Sequence, residues 1–240
     1  DMTIALSILG STAYDAIRSH ALAVIPLFML MGEIISRSGA AKDLYLLCDR
    51  ALKRLPGRLA AATVVGNAAF AAVSGVSIAA AATFSRIAYP EMRRAGYDKS
   101  YALGAVTGCA CLGMLIPPSV LLIVWAILTE GSVGALFIAG VVPGLLLGLT
   151  FIAYCVIVAV RNPSVAPAVD RPVGDTSTAE RRAELISGLG IIALVFIVLG
   201  GIWLGVFTPT EAAGFGALGS IVLGWVRGMR RKEFTEAIVN

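Results

Sequence analysis

Two short strings place oxygen donors beside helix breakers: Ser74-Gly75-Val76-Ser77, and Gly113 followed by Ile116-Pro117-Pro118-Ser119. Serine hydroxyls are neutral, hard-oxygen ligands. A Pro-Pro pair removes two backbone donors and pushes the residue before it out of the helical region. A helix that stops presents free carbonyls, which suit a cation; one that starts presents free N–H groups, which suit a carboxylate. The candidate cation ligands are therefore the hydroxyls of Ser74, Ser77 and Ser119. Gly75, Val76, Gly113, Pro117 and Pro118 supply the irregular backbone, and Asn67 is an amide in the first run. A site of this kind needs no charged residue, and none lies in either string.

The other reactive residue types give no support to an enzyme or to a resident cofactor. The one histidine, His20, cannot form a cluster, and Glu91, Asp98 and Glu130 have no histidine beside them. Cys48, Cys109, Cys111 and Cys155 carry neither disulfide nor zinc spacing. Cys109 and Cys111 lie in an uncharged run, where small apolar packing is the simpler reading.

The elements that must hold these strings are membrane helices. The chain is 58% hydrophobic and 14% charged, against roughly 45–50% and about 25% for soluble domains, and its mean hydropathy is +0.87. This composition predicts an all-α polytopic membrane protein. The net charge of +4 does not point to nucleic acid, because the basic residues sit in short blocks between apolar runs. The chain opens on Asp1 with no basic n-region, so it shows no signal peptide and reads as a fragment.

Four long stretches carry no charge: Leu59–Ser85, Ser100–Thr129, Gly131–Val160 and Leu185–Thr210. Ser19–Gly32 and Ala212–Val226 are shorter. Of the 19 Lys and Arg, 18 fall in Arg37–Arg58, Arg86–Lys99, Arg161–Glu184 and Arg227–Lys232, and the turns at Glu130 and Glu211 carry none. The positive-inside rule puts all four basic segments in the cytoplasm. Two crossings separate the second from the third, and two the third from the fourth. Only Leu59–Ser85 separates the first from the second, so it must return to the side it entered from, as a re-entrant hairpin. Its composition agrees: eleven of its 27 residues are Ala, suited to tight packing inside protein and poor as a lipid face. The hairpin turns near Ser74-Gly75, and half the run as helix reaches about 20 Å, enough to touch the midplane of the bilayer. An Ala-rich spanning helix is the alternative. Ser100–Thr129 is expected to break at Pro117-Pro118 into two half-helices, with a simple proline kink as the alternative. Irregular backbone at that depth, lining a cavity, is the architecture of secondary-transporter sites.

Further readings complete the organisation. Glu33 and Arg37 are spaced as a helical ion pair. Gly140/Gly144/Gly148 and Gly104/Gly108 are expected to pack helices closely. Tyr45, Cys48, Leu52 and Leu55 predict an amphipathic interfacial helix. The expected segments are an N-terminal, scaffold-like part at 1–58, the hairpin and its loop at 59–99, the broken helix and a following span at 100–160, a cytoplasmic linker at 161–184, and the start of a second repeat at 185–240.

These residues carry a family resemblance. Ile25-Pro26-Leu27-Phe28 with Gly32-Glu33, Ala72-Val73-Ser74-Gly75, Pro90-Glu91-Met92 with Gly96-Tyr97, Leu115-Ile116-Pro117-Pro118-Ser119, and Phe207-Thr208-Pro209-Thr210-Glu211-Ala212-Ala213 occur in that order. Together they resemble the DctM-like large membrane subunit of tripartite ATP-independent periplasmic (TRAP) transporters. The resemblance implies the large permease subunit of a sodium-coupled importer of organic acids such as C4-dicarboxylates or sialic acid, in a multi-pass bacterial inner-membrane location. Its partners would be a small TRAP membrane subunit, a periplasmic substrate-binding protein and the lipid bilayer. It also implies an elevator-type secondary transporter of two inverted repeats, with the Ser74–Ser77 tip and the Pro117–Ser119 link in the first Na+ site. A sodium-coupled anion carrier of similar architecture that needs no binding protein is the alternative. The family's Ser-Gly-Ser-Ser tip is here Ser74-Gly75-Val76-Ser77, so position 76 offers no side-chain ligand. The family's second hairpin has no counterpart, so the chain reads as the first repeat plus the start of the second.

Overall fold

The structure, a computed structural model, describes residues 2–4, 7–10, 20–167 and 178–239. Among them every regular element is helical. A 3-10 turn at His20–Ala23 leads into α1 (Val24–Arg37) and α2 (Ala40–Ala51), which meet at 71°. The hairpin arms are α3 (Arg58–Ser74) and α4 (Ser77–Arg94). The broken helix is α5 (Lys99–Ala110), the short α6 (Leu112–Leu115) and α7 (Val120–Leu128). Then follow α8 (Val133–Arg161), α9 (Thr178–Trp203), α10 (Pro209–Val226) and α11 (Arg231–Val239). Residues 1, 5–6 and 11–19 of the expected N-terminal segment, 168–177 within the expected linker at 161–184, and 240 lie outside the described residues.

The four basic segments gather at one end of the molecule, as the charge parity requires. Arg227 at the end of α10 pairs with Asp43 of α2 at 2.9 Å, and Arg50 of α2 pairs with Glu184 of α9 at 2.8 Å. Arg58 pairs with Asp49 at 3.1 Å, and Arg37 with Glu236 of α11 at 3.2 Å. The loop after α4 joins the same end, where the Asp98 amide donates to the Val165 carbonyl at 2.9 Å. The turns without basic residues lie at the far end, where Gly134 of α8 approaches Ile202 of α9.

Leu59–Ser85 is not an unbroken rod. Helix α3 stops at Gly75, whose φ of +64° suits glycine, and α4 restarts after an extended Val76. The arms then run antiparallel. A side chain on Gly66 would meet the Phe84 ring at 3.0 Å, the Phe70 and Phe84 rings lie 6.0 Å apart, and Tyr97 returns to the Leu59 backbone. The arm α3 is the core of the molecule: Ala60, Ala61, Ala62, Val64, Phe70 and Val73 are all buried.

The second break also occurs where expected. Ile116 is extended, α7 begins after Ser119, and the Pro117–Pro118 peptide is cis. Helix α8 packs along this break through two of its glycines. A Cβ on Gly140 would lie 2.7 Å from the Leu115 carbonyl, and one on Gly144 would lie 2.8 Å from the Ile116 side chain. Of the other expected glycines, a Cβ on Gly108 would lie 3.7 Å from the Phe151 ring of α8, an ordinary contact, while one on Gly104 or Gly148 would meet nothing within 4 Å, so close packing does not hold at those two.

Three segments among the described residues are long and apolar enough to cross a membrane: Lys99–Leu128, Val133–Arg161 and Arg181–Trp203. Their outward faces carry Leu121, Trp125, Leu145, Leu149, Phe196 and Ile197 in the open, the surface of a protein that meets lipid rather than water. Four expectations shift. The linker expected to Glu184 ends sooner, because Thr178-Ala-Glu-Arg-Arg-Ala-Glu is rich in helix formers and extends α9 toward the basic end. Glu211 does not sit in a turn; it closes a capping box with Thr208 at the start of α10. Helix α2 ends at Ala51, short of Leu52 and Leu55, and it does not leave its polar face to headgroups, because Asp43 and Asp49 are buried in their ion pairs. Of the two neighbouring cysteines, Cys109 is buried but Cys111 is exposed, so apolar packing accounts for only one of them.

Candidate functional site

The two breaks meet. The carbonyl of Gly75 accepts the amide of Val120 at 3.1 Å. A Cβ on Gly75 would lie 2.6 Å from the Pro118 carbonyl, and one on Gly113 would lie 3.1 Å from the Ser77 nitrogen. The hairpin tip is thus wedged against both sides of the Pro-Pro link. Gly75, Gly113, Pro117, Pro118 and Ser119 are buried, while Val76 and Ser77 are half-buried. Helix α8 gauges the depth of the junction. It touches the break at Gly140 and Gly144, about 11–17 Å along the helix from its start and about 26–32 Å from its end at Arg161.

The candidate hydroxyls differ in what they already do. Ser119 caps α7: its Oγ donates to the Met114 carbonyl at 2.7 Å and accepts the Leu122 amide at 3.5 Å. It holds the two half-helices in register across the break. Ser74, on the last residue of α3, is 1% exposed, and its Oγ has no hydrogen-bond partner. A buried hydroxyl left unsatisfied costs about 1–3 kcal/mol, and such groups call for a role. Ser74 sits where the unpaired carbonyls of a helix C-terminus collect. Ser77 opens α4 directly across from Gly113.

Asn67 does not join this cluster. It lies two turns earlier on α3, about 10 Å along the helix, and its Nδ2 donates to the Cys109 sulfur on α5 at 3.0 Å. Its Oδ1 is buried without a partner. The structure brings Ser74, Gly75, Val76, Ser77, Gly113, Pro117, Pro118 and Ser119 together and leaves Asn67 apart.

Two participants escaped the sequence reading. Gly32 of α1 presses against the tip so closely that a Cβ there would lie 2.6 Å from the Ser74 Cβ. Val120 supplies the amide that ties the tip down. A Gly in an apolar helix is a visible signal, but its partner is not. Beside Ser74 lies a cavity of about 440 Å³, lined by Leu27, Gly32, Glu33, Ser74, Val76 and Ala79 among others. A second, more polar cavity shares Glu33 and Ala79 with it and continues along α1 and α4 past Ser36 and Thr83 to Arg86. Ser36 and Thr83 share a hydrogen bond of 2.9 Å across this cleft. Glu33 accepts from Arg37, as its spacing predicts, and Arg37 also reaches Glu236.

Comparison with known proteins places the chain in a family. Residues 2–240 match the family described as "Tripartite ATP-independent periplasmic transporter, DctM component". The C4-dicarboxylate TRAP transporter large permease protein DctM of Pseudomonas aeruginosa is 40% identical over 228 residues, which are 94% of this chain and 52% of that protein. The protein of the same name from Vibrio cholerae is 37% identical, covering 91% of this chain and 47% of its own length. The ectoine TRAP transporter large permease protein TeaC of Halomonas elongata is 34% identical, covering 88% and 48%. The chain spans about half the length of the curated relatives it matches.

Proposed function

Because the chain belongs to the DctM family of TRAP transporters, a family of transporter permeases and not of enzymes, we propose that it forms the first part of a large membrane subunit that imports a small organic acid with sodium. In this reading the helical hairpin α3–α4 enters the membrane from the basic, cytoplasmic end and stops at depth. Its tip and the Pro117–Ser119 link bind the coupling ion. Ser74 and Ser77 offer hydroxyls, and the carbonyls at the end of α3 offer the partial negative charge. Ser119 acts first as the cap that keeps the link in shape and has a remaining lone pair to give.

The observation that carries this reading is the unpartnered, buried Ser74 Oγ at the junction of two broken helices. A bound cation would supply the partner for this oxygen that the folded chain does not. Relatives are named for C4-dicarboxylates, isethionate and ectoine, so the substrate class proposed is a small organic solute bearing an acidic group. The partners proposed are a small membrane subunit and a periplasmic substrate-binding protein, and the location is the bacterial inner membrane, crossed several times. The hairpin and broken helix move as a body against α1, in the manner of an elevator, and the Ser36–Thr83 bond breaks as they slide.

The test uses the full-length permease with its small subunit in liposomes, given a binding protein loaded with substrate. Uptake is expected to require an inward sodium gradient, and Ser74→Ala is expected to raise the sodium concentration needed for half-maximal uptake. Uptake that is indifferent to sodium overturns the coupling. An unchanged sodium dependence in Ser74→Ala overturns the site.

A further inference from the structure

A third cavity, distant from the junction, opens between α5 and α8 at the basic end. It holds about 560 Å³ and is predominantly apolar. Ser100, Tyr101 and Gly104 line it from α5, and Phe151, Tyr154 and Val158 from α8. Its α5 wall is open at Gly104, where an added Cβ would meet nothing within 4 Å. The glycine therefore does not bring these two helices together, and the space beside it is real.

The groove has a direction. On α8 its lining runs from Thr150 to Val158, and the same stripe continues one turn further to Arg161, the exposed last residue of the helix. From Thr150 to Arg161 is about 16 Å of helix, close to one leaflet of a hydrocarbon core of about 30 Å. At the same end of α5 stands exposed Lys99, next to the lining Ser100. Neither Lys99 nor Arg161 is ion-paired among the described residues. The neighbouring acid, Asp98, spends its carboxylate on the Ser100 and Tyr101 amides at 2.8 and 3.0 Å, and Arg93 acts on it as well. Arg161 continues the lining stripe of α8 and Lys99 stands at the rim beside the lining Ser100, so the two cations outnumber the single Asp98 carboxylate at the surface end of a wall of one leaflet's depth.

We propose that this groove seats an acyl chain of an anionic phospholipid from the leaflet at the basic end, with its phosphate at Lys99 and Arg161. The lipid fills the gap beside Gly104 and braces α5, the helix that leads into the Pro-Pro break, against α8, which packs on that break. This holds whether or not the junction binds sodium.

The test is native mass spectrometry of the full-length permease, delipidated in detergent and titrated with palmitoyl-oleoyl phosphatidylglycerol or with the matching phosphatidylcholine. Two basic residues at a membrane surface favour the anionic lipid on the order of thirtyfold, or about fivefold each. Wild type is expected to retain phosphatidylglycerol with about that preference. Gly104→Leu fills open space and is expected to remove the bound lipid while thermal unfolding stays unchanged. Lys99→Gln combined with Arg161→Gln alters only exposed residues and is expected to bring the two lipids to equal retention. Equal retention by wild type, or unchanged phosphatidylglycerol binding in either variant, overturns the proposal. So does loss of the small subunit from Gly104→Leu with lipid binding intact, which assigns the groove to a partner helix.

Discussion

Gly75 and Val120 lie 45 positions apart, yet the carbonyl of one accepts the amide of the other at 3.1 Å. That bond joins two places where the helical ladder fails. Gly75 ends α3, and Val120 begins α7. Each break leaves backbone groups that a membrane helix would satisfy within itself. Here one break satisfies part of the other, and the Ser74 hydroxyl beside it is left without a partner.

Gly75→Ala is expected to disrupt this junction. The residue holds φ at +64°, and its Cβ would lie 2.6 Å from the Pro118 carbonyl. The left-handed backbone alone costs roughly 1–2 kcal/mol in a residue with a Cβ, and a backbone carbonyl cannot swing away as a side chain can. Thermal unfolding of the full-length permease should drop, and transport should be lost. A variant with wild-type stability and uptake would contradict the wedged tip.

Ser74→Ala and Ser119→Ala are expected to separate binding from folding. Ser119 is a helix cap with two partners, so its loss costs about 1 kcal/mol. Ser74 has no partner to lose, so alanine there leaves stability unchanged or raises it. For sodium the expected order reverses. Ser74→Ala weakens the apparent affinity on the order of tenfold, as loss of a contact to a charged group would, whereas Ser119→Ala acts only to the extent that the link loosens. Unfolding temperatures measured beside sodium titrations of uptake check both halves.

How much of this was legible in the sequence depended on whether the signal was local. The breaks at Ser74-Gly75 and Pro117-Pro118 could be read because glycine and proline act on their own backbone. The common end of the basic segments could be read because charge marks the side of a membrane. The cap at Ser119 and the capping box Thr208-x-x-Glu211 were also local, as hydroxyls just before apolar runs, though chemistry and turn position were read there in place of capping. Gly32 against Ser74 was not legible, since no feature of either names the other and only packing joins them. The placement of Asn67 failed for the same reason: helical spacing put it two turns from the tip, and its partner Cys109 comes from another helix.

Helix α2 gives a prediction about stability alone. Asp49 is 1% exposed and pairs with Arg58, the first residue of the hairpin, at 3.1 Å. Removing one partner of a buried pair costs about 3–5 kcal/mol, while replacing both by apolar residues of similar volume is often neutral. Asp49→Leu should therefore destabilise strongly, and the double variant Asp49→Leu/Arg58→Leu should recover most of the loss. The exposed Glu91–Arg94 pair is a control, for which Glu91→Gln should change stability by about 0–1 kcal/mol. A double-mutant cycle on thermal unfolding checks the coupling.

The start of α5 should respond to pH. The Tyr101 amide, with smaller help from the Ser100 amide and the Arg93 charge, holds the Asp98 carboxyl below the usual carboxylate range. A folded-state pKa lowered in this way means that the cap stabilises α5 fully above the ordinary carboxylate value. The contribution is lost as pH falls through that value toward the depressed one, where the carboxylate takes up its proton and the helix end frays. Amide exchange at Ser100 and Tyr101 in the full-length permease should therefore show protection, relative to Asp98→Asn, that is constant at neutral pH and shrinks on acidification. If the ratio between the two proteins stays flat into the acid range, the carboxylate is not what caps the helix. If it collapses well above the ordinary carboxylate value, the charge is not held by these amides.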